Sequence, residues 1–577
     1  MDPTPRSPRP GFPPAVAGLA SGILLWGAFP PADLGWLAWV ALVPLFLLIR
    51  SERSPLALGL GSWLGGAVFW LLSIQWVRLT DESARLAWVV MALTLSLWWP
   101  GFLGLARLAV RRLGLPLMAA APILWVGLEH VRAYVLTGFP WYYLAHSQHQ
   151  AIPLIQVADF AGSLGISLLV ALVNAWGVDL LTLPLLRPTS RGARPTRPQV
   201  IRGAVVLGLL AAALGYGAFR LGSARFRPGP RVALIQSSLI QRYKMSAGPD
   251  AILAVYRRLI DRAVGQPERP DLIVWPETSF PYGFVALDPR LDAPAFERQV
   301  RQVSPEGTTN DWLTRMHSVS SLLHSWTDKI GVPMLVGSLT YDFHRDGLSK
   351  YNSAILFEPG GRAVQSYHKL HLVPFGEYVP LIETFPWLVA LTPYRGQRAP
   401  SLTFGREPIG LRLGPYRLAA AICFEDTVPQ VVRRFFRASG QDRQPDILLN
   451  LSNDGWFHGS SEHDMHLAVS VFRAIENRVP LARAAHTGIS ALVDGNGRVL
   501  ASLPKLHEDI LTRVVPLDDR TSPYSASGDW LGLACLAVTI GLPPIAVAKS
   551  WLRRGFAVRE TETNGTRFHA TSTEDMG

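Results

Sequence analysis

A chain of 577 residues is long enough for two domains of ordinary size, and a mean hydropathy of +0.20 with 19 tryptophans is too apolar for a protein wholly dissolved in water. A net charge of +12 would suit a nucleic-acid partner. Many of the arginines, however, fall in short segments between apolar runs, and no aromatic-and-basic binding motif accompanies them, so nucleic acid is set aside and a membrane part is the first expectation.

Apolar runs at residues 15–29, 34–49, 56–77, 86–105, 116–135, 163–186, 203–221 and 530–551 predict a membrane bundle of about eight helical spans. The first two runs are short for a hydrocarbon core of roughly 30 Å, and Pro13, Pro14, Pro30 and Pro31 bound them as a shallow hairpin. Arg6 and Arg9 before a short apolar stretch resemble a signal peptide, but further runs follow at once, so an uncleaved first span is the better reading. Arg6, Arg9, Arg50, Arg53, Arg107, Arg111, Arg112, Arg187, Arg191, Arg194, Arg197, Lys549, Arg553 and Arg554 all fall on one face of that bundle. The other face receives Arg78 and Arg85, and residues 136–160 contain no Lys or Arg. Basic residues stay in the cytoplasm, which puts both termini inside and the long polar segment outside, in the periplasm of a cell with two membranes. The expected parts are membrane helices over 1–221, an extracytoplasmic domain over 222–528, a last span over 529–552 and a disordered cytoplasmic tail over 553–577, the polar character being clear from 558.

Within the polar segment, β-branched runs alternate with amphipathic stretches, as in an α/β domain. Strands are predicted over 232–236, 272–275, 334–338, 353–357, 418–423, 447–451 and 490–493, and helices over 251–263, 311–326, 428–438 and 464–478. Residues 281–310 and 376–408 are left as long irregular stretches.

Three short motifs each follow a predicted strand: Trp275-Pro276-Glu277, His368-Lys369-Leu370 and Cys423-Phe424-Glu425-Asp426. A thiol is a weak nucleophile until a base takes its proton, and an acyl oxygen that becomes an oxyanion needs a cation or hydrogen-bond donors. Glu277 supplies the first and Lys369 the second, with Cys423 as nucleophile. The only other cysteine, Cys535, lies in an apolar run, so no disulfide is expected. Together with Asn450-Leu451-Ser452-Asn453-Asp454-Gly455-Trp456, these motifs resemble the nitrilase superfamily, which implies an αββα sandwich.

Membrane spans fused to such a domain are similar to the apolipoprotein N-acyltransferase family. The resemblance runs from Gly138-Phe139-Pro140-Trp141 to the last span and includes the string Val373-Pro374-Phe375-Gly376-Glu377-Tyr378-Val379-Pro380. It implies auxiliary roles for Glu377 and Glu425. It further implies an inner-membrane enzyme that moves a fatty acyl group from a phospholipid, phosphatidylethanolamine first, through a Cys423 thioester to the N-terminal amine of a diacylglyceryl-cysteine lipoprotein. No cofactor and no metal are expected: the spacing of His458, His463 and His466 fits no familiar zinc pattern and they are read as solvated or capping residues. Phe424, Met245 and His486 depart from the family pattern and bear on the lining of the acyl pocket. The loop carrying Phe385 and Trp387, and the outer-boundary residues Trp141, Tyr142 and Tyr143, either dip toward acyl chains or pack in the core. Glu129, His130, Arg132 and Asp179 are either interfacial charges or part of a substrate path. A membrane-tethered amidase that passes the acyl group to water, and a transport or lipid-binding scaffold with an inert domain, are the competing classes.

Overall fold

A computed structural model describes residues 13–82, 84–181, 196–361, 364–391, 402–437 and 444–569. Arg6, Arg9, Arg187, Arg191 and Arg194, residues 392–401 and the last eight residues lie outside them.

The period-two pattern of the polar segment builds two sheets. Its strands are β1 (Phe226–Gln236), β2 (Leu272–Val274), β3 (Phe280–Leu287), β4 (Met334–His344), β5 (Gly347–Phe357), β6 (Gln365–His368), β7 (Gly410–Leu413), β8 (Tyr416–Ile422), β9 (Ile447–Ser452), β10 (Leu481–Ala485), β11 (Ala491–Val493), β12 (Val499–Ser502) and β13 (Asp509–Asp518). The first sheet runs β13-β1-β2-β4-β5-β6 with β3 also on β4, and the second runs β12-β11-β10-β9-β8-β7. Alternation along β1 separates two cores: Val232 and Leu234 join the cluster shared with the second sheet, whereas Ala233 and Ile235 pack with Tyr256 and Leu323 of the Pro249–Val264 and Thr309–Ile330 helices. The Ser461–Asn477 helix packs on β10, with the Pro429–Arg437 helix beside it. The order is therefore helix, sheet, sheet, helix. β2 runs parallel to β4, and β4 and β6 are both antiparallel to β5, so the ends of β2 and β6 that carry two of the motifs lie on the same side, and Glu425 ties the end of β8 that carries the third to the end of β6.

Among the described residues, five helices are long and apolar enough to cross a membrane: Pro55–Ser73, Ala84–Arg112, Ala158–Leu181, Arg197–Gly222 and Trp530–Trp551. Three of the eight expected spans are shorter. Pro14–Gly27, Gly35–Arg50 and Leu117–Arg132 hold 14 to 16 residues, which at about 1.5 Å per residue fall short of a hydrocarbon core of about 30 Å. Pro14–Gly27 nevertheless lies tightly against Pro55–Ser73, because a Cβ on Gly65 would come within 2.2 Å of the Gly18 carbonyl oxygen. Outward-turned Leu207, Leu214, Phe219, Ile540 and Ile545 leave an apolar surface for lipid.

Charge sorts the two ends of the bundle. At one end Asp179 pairs with Arg50 at 3.1 Å and Arg202 at 2.8 Å, and Arg107 caps the carbonyls of Leu48 and Ser51. At the other end the sandwich is bolted on. Asp159 pairs with Arg478 at 2.6 Å and Arg220 at 2.7 Å, Glu476 accepts from the Ser163 amide, and Gln156 donates to the Asn496 carbonyl.

Several expectations change. Residues 281–310 are not irregular: β3 is followed by the Ala293–Val303 helix, capped by Asp292 and seated by Phe296 and Val300 against Trp312 and Phe343. The helix that begins at Trp530 is described as far as His569, past the end of the expected last span. Trp141, Tyr142 and Tyr143 do not reach toward lipid but are buried. Arg132 donates to the Trp141 carbonyl, Tyr142 donates to the Ser73 carbonyl, and the Trp141 ring lies 5.4 Å from that of His466 in the sandwich.

Removing one member of a fully buried ion pair typically costs about 3–5 kcal/mol. Asp159→Ala is expected to lower the unfolding midpoint of the detergent-solubilised protein by several degrees. An unchanged midpoint would show that Asp159 and Arg478 do not hold the two parts together.

Candidate active site

The chain leaves β2 at Trp275, whose ring stacks on Tyr256 at 4.2 Å, and turns through Thr278 at a φ of +44°. That turn sends the Glu277 side chain inward. One of its oxygens accepts from Lys369 Nζ at 3.0 Å and Asn352 Nδ2 at 2.6 Å, and the other accepts from the Asn453 amide at 2.9 Å. Lys369 follows β6, with its amide donating to the Asn352 carbonyl, and its ammonium also lies 2.9 Å from Glu377. Glu377 in turn accepts from Asn352 Nδ2 at 2.7 Å and the Val373 amide at 2.8 Å. Burial pulls the Lys369 ammonium down, but Glu277 and Glu377 outweigh it and hold the group above its usual range, so it stays charged.

Cys423 follows β8 with a φ of +50° and opens the 3-10 turn Cys423–Thr427. A non-glycine residue in that region costs roughly 1–3 kcal/mol and persists only when its surroundings over-determine it. Glu425 does this. One oxygen accepts from the Ile422 amide at 2.7 Å, while the other accepts from the amides of Leu370 at 2.6 Å and His371 at 3.0 Å and from the Tyr367 hydroxyl at 2.8 Å. The carboxylate expected as an auxiliary thus joins the strand end carrying Cys423 to the one carrying Lys369. Burial raises its pKa to about 7, against the pull of these donors. Asn450 Nδ2 holds the Cys423 carbonyl at 3.1 Å, and Arg483 holds Asn450 at 2.6 Å. Burial and then Glu277 push the Cys423 thiol well above its usual range, against Lys369, so it stays protonated until a base takes its proton.

Beneath the turn lies a buried polar group that the motifs did not reveal. Asp426 accepts from His466 at 2.8 Å and from Ser470 at 2.6 Å, and Arg483 reaches Asp454 at 2.9 Å. His463 and His466 are therefore interior residues rather than solvated ones, because paired carboxylates surround them. Asp454, Glu462 and His466 are close enough together to hold a metal ion, but the Arg483 guanidinium already supplies the cation there, 2.8 Å from His466 Nδ1. Asn352 was also missed: it stands between Tyr351 and Ser353, just ahead of the apolar end of β5, where nothing in the sequence sets it apart from the other polar residues of the strand.

Two of the remaining candidates lie apart. Phe385 and Trp387 are exposed, the latter at 64 %, on the turn Pro386–Leu391 beside the Ala84–Ser96 helix. Phe424 stacks on His371, Met245 is exposed, and His486 is buried next to Glu277.

Residues 21–176 match the family described as apolipoprotein N-acyltransferase N-terminal domain, and residues 231–522 match carbon-nitrogen hydrolase. An apolipoprotein N-acyltransferase of Geobacter metallireducens is 33 % identical, covering 90 % of this chain and 93 % of that protein. One from Chlorobaculum tepidum is 30 % identical over 94 % of this chain and 97 % of its own length. Among solved structures, a CN-hydrolase superfamily protein from Xanthomonas campestris is 18 % identical, covering 54 % of this chain and 97 % of its own, with a TM-score of 0.33.

A thiol held high alkylates slowly at neutral pH, because the thiolate is the reacting form. In a Cys535→Ser background, iodoacetamide labelling of Cys423, followed by intact mass, should be slow at pH 7 and climb beyond pH 9. Glu277→Gln removes a charge that opposes the thiolate and should move the climb to lower pH. Rapid labelling of the unsubstituted site at pH 6 would contradict the arrangement.

Proposed function

The chain belongs to the apolipoprotein N-acyltransferase family, and we propose that it moves a fatty acyl group from a phospholipid, through a thioester on Cys423, to the N-terminal amine of a diacylglyceryl-cysteine lipoprotein. The observation that carries this reading is the buried Lys369 ammonium held 3.0 Å from Glu277 and 2.9 Å from Glu377, with Cys423 on a positive-φ turn at a neighbouring strand end.

In the first half-reaction Glu277 takes the thiol proton and the Cys423 sulfur attacks the ester carbonyl of the donor, phosphatidylethanolamine being the expected one. Lys369 stabilises the tetrahedral oxyanion. Its collapse breaks the ester bond, the lysophospholipid leaves with the proton held by Glu277, and a thioester remains. In the second, the acceptor amine attacks that thioester, Glu277 accepts the amine's proton and returns it to the departing sulfur, and an amide is formed. Glu377 keeps Lys369 in place from its far side, and Glu425 keeps the two strand ends in register.

Both substrates are anchored in a bilayer, which supports reading residues 1–221 and 529–552 as its membrane part and 222–528 as the catalytic domain. The cluster of Arg50, Arg107 and Arg202 at the end of the bundle remote from the sandwich supports a periplasmic catalytic domain and cytoplasmic termini in an inner membrane. On this reading the three shorter helices complete a bundle of about eight spans, and exposed Phe385 and Trp387 form the lipid-facing entrance.

Purified protein mixed with phosphatidylethanolamine should gain the mass of one acyl chain on Cys423. Cys423→Ala should gain none, and Lys369→Ala should gain it on the order of 10²–10³ times more slowly, the usual cost of one oxyanion contact. Acylation of Cys423→Ala at the wild-type rate would sink the assignment of the nucleophile.

A further inference from the structure

Lys244, in the short helix Gln241–Ser246, belongs to none of the motifs, yet its ammonium nitrogen lies 3.1 Å from the Thr278 carbonyl oxygen and 3.0 Å from His486 Nε2. The same Nε2 lies 2.8 Å from the carbonyl oxygen of Glu277. These two contacts make opposite demands. A carbonyl oxygen only accepts, so it requires a proton on Nε2; a charged lysine only donates, so it requires a lone pair there. The other ring nitrogen, Nδ1, decides nothing, since it faces the hydroxyls of Ser237 at 3.0 Å and Tyr256 at 3.1 Å, which donate or accept equally well.

We propose that Lys244 and His486 form a proton-dependent latch on Glu277: with Lys244 neutral, His486 Nε2–H holds the Glu277 carbonyl, and with Lys244 charged the ring proton moves to Nδ1 and that bond is lost. The two residues act through Glu277 as positioning residues, and the inference rests on the acyl-transfer reading of this site.

The surroundings favour Lys244 as the group that titrates. Burial lowers its pKa to about 7, with Glu277, from the segment after β2, pulling the other way. His486, from the segment after β10, is held well below its usual range by burial and then by Lys244, so its ring stays neutral and only its tautomer changes. Tyr256 of the Pro249–Val264 helix is raised by burial and stays protonated, and Asp454, whose charge acts on His486, is held low against burial by Arg483. Arg242 and Tyr243 on the same short helix are exposed. Below about pH 7 Lys244 carries its proton and the latch is open; above it the latch is closed.

The test uses the first half-reaction alone, so that the acceptor amine's own titration does not enter. A group half-titrated near pH 7 is neutral in about one tenth of molecules at pH 6 and about nine tenths at pH 8, so the rate of Cys423 acylation by phosphatidylethanolamine in mixed micelles should rise about tenfold between them. Lys244→Met should bring the two rates to within about twofold, and Lys244→Arg, a permanent cation, should hold both near the low value. A tenfold rise that survives in Lys244→Met overturns the latch. The second readout needs no substrate: in protein with 15N-labelled histidine, assigned by difference against His486→Asn, the His486 proton should pass from Nδ1 to Nε2 as the pH rises from 6 to 8. A tautomer that does not change overturns the proposal. Wild-type protein that takes no acyl group at either pH overturns the acyl-transfer reading, and the tautomer measurement still decides the latch.

Discussion

The Lys369 ammonium sits in the interior between two carboxylates, and nearly every other feature of the site serves that placement. Burying three charges is costly unless each is paired and its remaining hydrogen-bonding positions are filled. Asn352 supplies one donor to each carboxylate, and the Asn453 and Val373 amides fill one further oxygen on each. These partners come from separate strand ends and loops, so the site exists only when both sheets are assembled. The group holds two negative charges to one positive. Burial and then Glu277 keep the neighbouring thiol protonated against the pull of Lys369, and in the proposed reaction this makes the first proton transfer the step that the cluster must perform.

The second constraint is mechanical. Cys423 stands on a backbone conformation that would relax if freed, and Glu425 prevents this with four hydrogen bonds spanning two strand ends. Below it, Arg483 links Asn450, which holds the Cys423 carbonyl, to Asp454, and His466 of the same buried group contacts Trp141 of the membrane part. A continuous set of packed polar contacts therefore runs from the membrane helices to the turn that carries the thiol, with Asp159 and Arg478 fixing the two bodies nearby.

The motifs at strand ends were legible because each combines a β-branched run with a residue type whose chemistry is specific, and Glu277, Lys369, Glu377 and Cys423 do come together. What a linear reading could not supply was the filling of hydrogen-bond positions. Asn352 looks like a polar interruption of a strand, and Lys244 like a surface cation on a helix of six residues. Short elements escaped for a related reason: β10, Leu-Ala-Arg-Ala-Ala, has almost no β-branched character and is a strand because β9 and β11 flank it. For the three aromatic residues from Trp141 the sequence left a lipid-facing and a core placement open, because aromatics favour the interfacial depth as well as the interior, and their burial follows from Arg132 and the sandwich closing over them. Three of the apolar runs end at proline or fold into pieces of 14 to 16 residues, so run length alone did not show which helices are long enough to cross a membrane unaided.

An enzyme of this construction is distinguished from an amidase of the same superfamily by where the acyl group goes once it has left the phospholipid. The most direct measurement is a chase: Cys423 loaded with an isotopically labelled acyl chain, separated from donor, and divided between buffer and a diacylated lipopeptide with a free N-terminus. The account predicts that the labelled thioester persists in buffer and that the label appears as an amide on the lipopeptide. Release of labelled fatty acid to water at the same rate with and without the lipopeptide would contradict it.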